Sequence, residues 1–87
     1  YQFRKEQIKK LRKVVEAHEE DIYEALYADL HKSKEECWAT ENGFFLTELK
    51  ETLANLKYWM EPEPVATNLL NLPSSSKIIP EPLGFVL

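Results

Sequence analysis

The sequence is poor in the residues that build catalytic loops. Only two glycines occur in 87 residues, Gly43 and Gly84, so no glycine-rich loop is present to cradle a phosphate or a dinucleotide. A single cysteine, Cys37, rules out an internal disulfide and with it a stapled secreted mini-protein. No apolar run approaches the roughly 18 residues needed to cross a bilayer. An excess of positive charge is missing too. Lysine and arginine number 11 and aspartate and glutamate 15, so the net charge is 11 − 15 = −4, which argues against a strongly basic nucleic-acid binder. These absences lead us to expect a cytoplasmic protein with no nucleic-acid partner and no membrane segment in this chain.

What is present is helical. Hydrophobic residues make up 44% of the chain, a globular proportion that argues against wholesale disorder. Over residues 1–17, Ile8, Leu11, Val14, Val15 and His18 recur at helical spacing and predict a first helix. A second helix is predicted over 19–31, with Ile22, Ala25, Leu26 and Leu30 as its stripe. Glu19, Glu20 and Asp21 occupy its first turn, where the helix dipole favours acids. Ser33 and Glu36 form the capping box of a third, long helix over 33–60. Its stripe runs through Ala39, Asn42, Phe45 or Leu46, Leu49, Leu53, Leu56 and Met60, and Pro62 and Pro64 end it.

At 1.5 Å rise per residue, residues 33–60 span about 42 Å. A compact globule of this chain length has a radius of gyration of roughly 12 Å and a diameter near 31 Å. The helix is longer than the ball it would have to fit inside, so the chain either associates or belongs to something larger. The first residues already read as helix, and the last, Phe85-Val86-Leu87, read as an unfinished strand. A piece of a longer protein is the expectation.

Beyond Glu61 the composition changes. All five prolines lie between Pro62 and Pro82, and residues 61–76 read as a proline-rich crossing. Residues 77–87 read as the start of β structure, with strand pieces at Lys77-Ile78-Ile79 and Phe85-Val86-Leu87. Glu81-Pro82-Leu83-Gly84 between them suits a type I turn. The fold class is therefore a mainly α fragment of three helices, the third long, with short C-terminal β segments.

No constellation of residues carries chemistry. Cys37 sits where a helix dipole can lower a thiol pKa, but Glu35, Glu36 and Glu41 oppose that, and a small apolar filler is the favoured role. His31 with Cys37 makes at most half of a metal site, and His18 and His31 are read as structural. Glu19/Glu20 and Glu35/Glu36 are read as solvated faces rather than acid–base pairs. Phe44, Phe45, Tyr58 and Trp59 are read as packing residues rather than a base-stacking platform. Charge is unevenly spread. Residues 1–13 carry six cations and one acid, +5, and residues 14–61 carry four cations and twelve acids, −8. A basic helix can bind nucleic acid or an anionic membrane, but pairing with the acidic second helix, or a solvated face, is the favoured expectation.

The order of features carries a family resemblance. Ala25-Leu26, Asp29-Leu30, Lys32-Ser33 and Glu36 precede a long helix ending near Trp59. A proline-rich crossing and the run Glu81-Pro82-Leu83-Gly84-Phe85-Val86-Leu87 follow. Together they resemble the N-terminal part of an aldehyde dehydrogenase, most of all the class 3 or fatty-aldehyde type, across nearly the whole chain. The resemblance implies a parent of α/β fold with a Rossmann-like cofactor domain, a homodimer that oxidises aldehydes to carboxylic acids with NAD or NADP. It implies a cysteine nucleophile, an asparagine and a backbone N–H that hold the oxyanion, and a glutamate that activates water. All of these lie further downstream, after a Trp-Asn pair expected beyond Leu87, and Cys37 matches none of them. No catalytic, cofactor-binding or metal residue is assigned within residues 1–87, no cofactor is expected on this piece alone, and its partner is the remainder of its own polypeptide. The alternative is a self-associating helical module without enzymatic activity, although Asn42 and Gly43 break a strict heptad.

Overall fold

The computed structural model describes residues 1–86. Helices α1 (Gln2–Ala17) and α2 (Glu19–Leu30) follow one another with only His18 between them. His18 has φ −108° and ψ 18°, a bridge conformation that bends the path without ending it. Its Nδ1 lies 2.9 Å from the Val14 carbonyl oxygen. The chain reverses at His31, whose backbone is left-handed at φ 54° and whose N–H caps α2 on the Tyr27 carbonyl. Ser33 then starts the return, its hydroxyl accepting the Glu36 N–H at 3.2 Å. The cap read from the sequence is thus made on its serine side.

The return rod is α3 (Lys34–Cys37), a π-helical turn (Trp38–Asn42) and α4 (Gly43–Trp59), with helical backbone at both junctions. It corresponds to the long third helix of the sequence, now with a wide turn inside. The rods run antiparallel, α2 against α3 near the reversal and α1 against α4 further out. Leu49 and Leu56 are buried, and Leu46, Leu53 and Met60 are half-buried. The seam therefore uses spacings of three and four. Leu46 faces inward and Phe45 stays exposed, which settles the choice that periodicity leaves open.

The π-helical turn shifts the stripe. The Gly43 N–H bonds to the Trp38 carbonyl five residues back, adding one residue to a turn. Cys37 and Asn42, five apart, are consequently both buried, while Ala39, which a uniform period places in the stripe, is exposed.

Past α4 the chain forms a two-stranded antiparallel ribbon, β1 (Glu63–Val65) with β2 (Ser76–Ile78), in the register Glu63 to Ile78 and Val65 to Ser76. A 3₁₀ turn (Leu69–Asn71) lies between them, capped by the Asn68 side chain. β1 pairs from within the proline-rich stretch. Pro64 fits because a two-stranded ribbon is all edge. Residues 79–86 have no regular secondary structure. The expected type I turn at Glu81–Gly84 and the strand at Phe85-Val86 are not formed, and Leu87 lies outside the described residues.

The molecule is an elongated hairpin with a tail. Its radius of gyration is 19.7 Å and its extents are 63 × 23 × 22 Å, against roughly 12 Å for a compact globule of this length. Among the described residues the buried apolar side chains are Cys37, Leu49 and Leu56, and neither α1 nor α2 contributes one.

The π-helical turn depends on Gly43. A Cβ there would lie 2.6 Å from the Trp38 carbonyl oxygen and 3.2 Å from Trp38 Cε2. Alanine ordinarily gains about 1 kcal/mol over glycine in a helix, but overpacking against a backbone atom costs about 1–3 kcal/mol. Gly43→Ala is expected to destabilise the full-length protein by about 1 kcal/mol in urea unfolding. A variant at least as stable as the parent would show that the close approach relaxes freely.

Candidate functional site

The polar chemistry of the chain gathers at the reversal between the rods. Lys32 leaves the end of the first rod and donates to Glu41 Oε1 at 3.0 Å and Thr40 Oγ1 at 3.3 Å on the second. Lys34 leaves the start of the second and donates to Glu20 Oε2 at 2.8 Å on the first. The Tyr23 hydroxyl donates to Glu19 Oε1 at 2.6 Å. Both ammonium groups are held above the ordinary lysine pKa, Lys32 chiefly by its bond to Glu41 and Lys34 chiefly by its bond to Glu20. The Tyr23 phenol is pushed up to about 12, first by donating to Glu19 and then by loss of water around it. An open groove of about 420 Å³ beside these groups is lined by Tyr23, Tyr27, Glu24 and Lys34, among others.

Lys32–Glu41 and Lys34–Glu20 bridge the two rods, whereas Tyr23–Glu19 lies within α2. Glu19 and Glu20, adjacent in sequence, take separate partners, Tyr23 and Lys34. Cys37 is fully buried, and its thiol faces the Lys32 carbonyl oxygen at 3.9 Å. The His31 ring lies against Tyr27, centroids 5.3 Å apart. Among the described residues, no three His, Cys, Asp or Glu side chains converge on a point that could hold a metal. Asn42 is buried with Nδ2 unpartnered, the one unsatisfied buried polar side-chain atom among the described residues. Tyr23 with Glu19 is an i, i+4 pair and readable from sequence. Lys32 with Glu41 crosses the reversal, and no local signal announces it.

The larger feature is apolar. Phe44, Tyr58 and Trp59 are exposed along the second rod, as are Tyr27, Leu30 and Trp38 near the reversal. In the tail, Leu83 is 96% and Phe85 97% exposed. A second groove of about 370 Å³ lies where the rod meets the ribbon, between Trp59, Pro62, Pro64 and Ile78. Exposed aromatic and aliphatic side chains on this scale mark interaction surfaces. Among the described residues, no helix is long and apolar enough to cross a membrane.

Fold and surface together define the class: a helical hairpin with a short β ribbon and an exposed apolar face. No family model matches the chain. Over 85 residues it is 48% identical to the 4,4'-diaponeurosporen-aldehyde dehydrogenase of Staphylococcus aureus, covering 98% of this chain and 18% of that protein. It is 40% identical over 87 residues to aldehyde dehydrogenase family 3 member H1 of Arabidopsis thaliana, covering 100% of this chain and 18% of that protein. A solved structure, the substrate-bound state of Staphylococcus aureus AldH, superposes with a TM-score of 0.87 at 47% identity, covering 93% of this chain and 18% of that one. The chain is homologous over its whole length to aldehyde dehydrogenases, family 3 members among them, and matches the N-terminal part of such an enzyme. It spans about 18% of the length of these relatives.

The Tyr23–Glu19 bond gives a pH prediction. The folded-state pKa lies above the unfolded value, so the bond contributes below the ordinary 10.0 and is lost as pH rises through about 12. In NMR of isotope-labelled tyrosine, the resonance missing from Tyr23→Phe should remain a phenol at pH 10.0. Half-ionisation at that pH would show that the contact does not persist in solution.

Proposed function

We propose that the protein to which these residues belong is an NAD- or NADP-dependent aldehyde dehydrogenase that oxidises aldehydes to carboxylic acids. The observation that carries this reading is the 48% identity along almost the whole chain, with the matching hairpin geometry beside it. The role of residues 1–87 in that enzyme is architectural. Their exposed aromatic and aliphatic side chains pack against the remainder of the polypeptide, and the tail leads on into the cofactor-binding domain. We place the parent in the cytoplasm as a homodimer, after its resemblance to class 3 enzymes.

The nucleophile, the water-activating base and the cofactor contacts belong to the rest of the enzyme. Cys37 has the right element but the wrong setting, since a nucleophilic thiolate needs access to substrate and this sulfur is sealed in the helical seam. The self-associating module is the weaker reading. Asn42 and the π-helical turn interrupt the seam it needs, and homology to an enzyme family does not call for it.

The full-length protein should reduce NAD or NADP in the presence of an aldehyde, read as NADH or NADPH absorbance, while residues 1–87 alone should give no turnover. Cys37→Ala in the full-length enzyme should keep kcat/KM within about threefold of the parent. Absence of aldehyde-dependent reduction by the full-length protein with both cofactors would remove the dehydrogenase reading. A loss of activity of about a thousandfold in the folded Cys37→Ala protein would place this thiol in the machinery after all.

A further inference from the structure

One residue of the seam is used by nothing described so far. Asn42 is 4% exposed, and its Nδ2 has no hydrogen-bond partner. Asn42, Leu49 and Leu56 are buried and recur every seventh residue along the second rod. The hairpin itself therefore buries Asn42, and polypeptide packed outside it can only add to that burial. An amide nitrogen left unpaired in such a place weakens the seam rather than strengthening it.

The next residue is Gly43, and Asn42–Gly43 is the one Asn-Gly pair in the sequence. Such a pair has a chemistry of its own. The glycine nitrogen gives its proton to water or hydroxide and attacks Cγ of the asparagine. The bond from Cγ to Nδ2 breaks, ammonia leaves and a five-membered succinimide ring remains. Water then opens the ring at either carbonyl, giving aspartate or isoaspartate. One water enters and one ammonia departs, with no change of oxidation state. Glycine favours the step because no Cβ hinders the approach of its nitrogen. Asn55, Asn68 and Asn71 are each followed by leucine, which does hinder it.

In the folded chain three features hold the step back. Asn42 has helical backbone, φ −64° and ψ −47°, whereas ring closure needs a ψ outside the helical well that brings the next nitrogen onto Cγ. The Gly43 N–H is engaged with the Trp38 carbonyl across the π-helical turn. Burial keeps away the water that must take the proton and open the ring. The restraint is conformational, so it lasts only while the turn is closed, and the Asn42 Nδ2 adds no bond to keep it closed.

We propose that Asn42–Gly43 is a latent deamidation site, guarded by the π-helical turn, at which opening of the seam is converted into a permanent negative charge. The new carboxylate would have to return to a buried position, where an unpaired charge is costly. Isoaspartate also lengthens the main chain by one carbon inside the turn. In either form the seam does not reclose as before. The inference does not rest on the dehydrogenase reading.

The test is peptide mapping of the full-length protein by mass spectrometry after incubation at neutral pH, folded and in concentrated urea. In urea the mass shift of amide to acid should appear fastest at Asn42, ahead of Asn55, Asn68 and Asn71. In the folded protein the shift at Asn42 should be slowed at least about a hundredfold, because the rate then follows the small open population. Leu49→Ala, which removes a buried side chain of the seam, should raise the folded rate about tenfold or more. Urea below the unfolding midpoint should raise it in the parent as well. Asn42→Asp should speed hydrogen exchange of the backbone amides of residues 38–43 about tenfold or more. Equal rates at Asn42 in folded and unfolded protein would overturn the proposal. So would a rate in urea no greater than at the other three asparagines, a folded rate unmoved by both Leu49→Ala and urea, or exchange in Asn42→Asp as slow as in the parent.

Discussion

Among the described residues, the buried apolar side chains lie in one seam between two antiparallel rods. Folding costs each residue about 1–2 kcal/mol of backbone entropy, and hydrophobic burial is the main term that offsets it. Here Cys37, Leu49 and Leu56 are the buried apolar residues, and the aromatic side chains of the second rod face outward. A chain of this size buries only a modest fraction of its surface even when it is compact, and this one is stretched to 63 Å. The hairpin is therefore left with a large exposed apolar face. The polar contacts cluster at the reversal. Lys32 and Lys34 cross from one rod to the other in opposite directions there, as exposed pairs that each contribute little to stability.

Much of this was legible in the sequence, because it rests on periodicity and end signals. The three helical segments, the Ser33 cap and the stop before Pro62 follow from spacing, capping chemistry and proline, whereas the collinearity of the first two and the reversal at His31 do not. The stripe through Leu49, Leu53, Leu56 and Met60 came from the same source. So did Asn42 and Leu46 in its earlier part, but Ala39 did not fit. A uniform helical period points to Ala39, whereas the π-helical turn carries the buried face from Cys37 to Asn42. The close fit of Gly43 under Trp38 that permits this is a tertiary fact. A glycine in a helix reads locally as a weakness, and nothing in the sequence distinguishes it from a required one.

The β ribbon was half legible for a different reason. Lys77 and Ile78 have strand propensity, but the partner of a strand is non-local, and Glu63–Val65 looks like a poor strand because it holds a proline. In a two-stranded ribbon that objection lapses, since a proline nitrogen need not face a neighbour. The turn at Glu81–Gly84 failed in the opposite direction. Its residues suit a type I turn, but a turn of this kind joins two paired strands, and residues 79–86 have no second strand to return to. Turn chemistry permits a reversal; strand pairing is what makes it happen.

For charge the sequence left two outcomes open, pairing with the acidic second helix or a solvated face, and the structure takes the second. The basic first helix and the acidic second one invite neutralisation, and on composition alone that is the economical arrangement. The geometry forbids it. The two helices lie end to end along one rod, so their side chains meet only across the bend at His18. An i, i+4 bond such as Arg12–Glu16 is within reach in this arrangement, whereas Lys9 and Lys10 sit a full turn or more from the nearest acid of α2. At 1.5 Å per residue, Lys9 and Glu19 are about 15 Å apart along the axis, beyond contact and beyond the Debye length. Folding the rod back at His31 rather than at His18 brings α1 against the charge-balanced α4 instead. The placement of one reversal thus decides that the acids of α2 serve the corner while the lysines of α1 face outward.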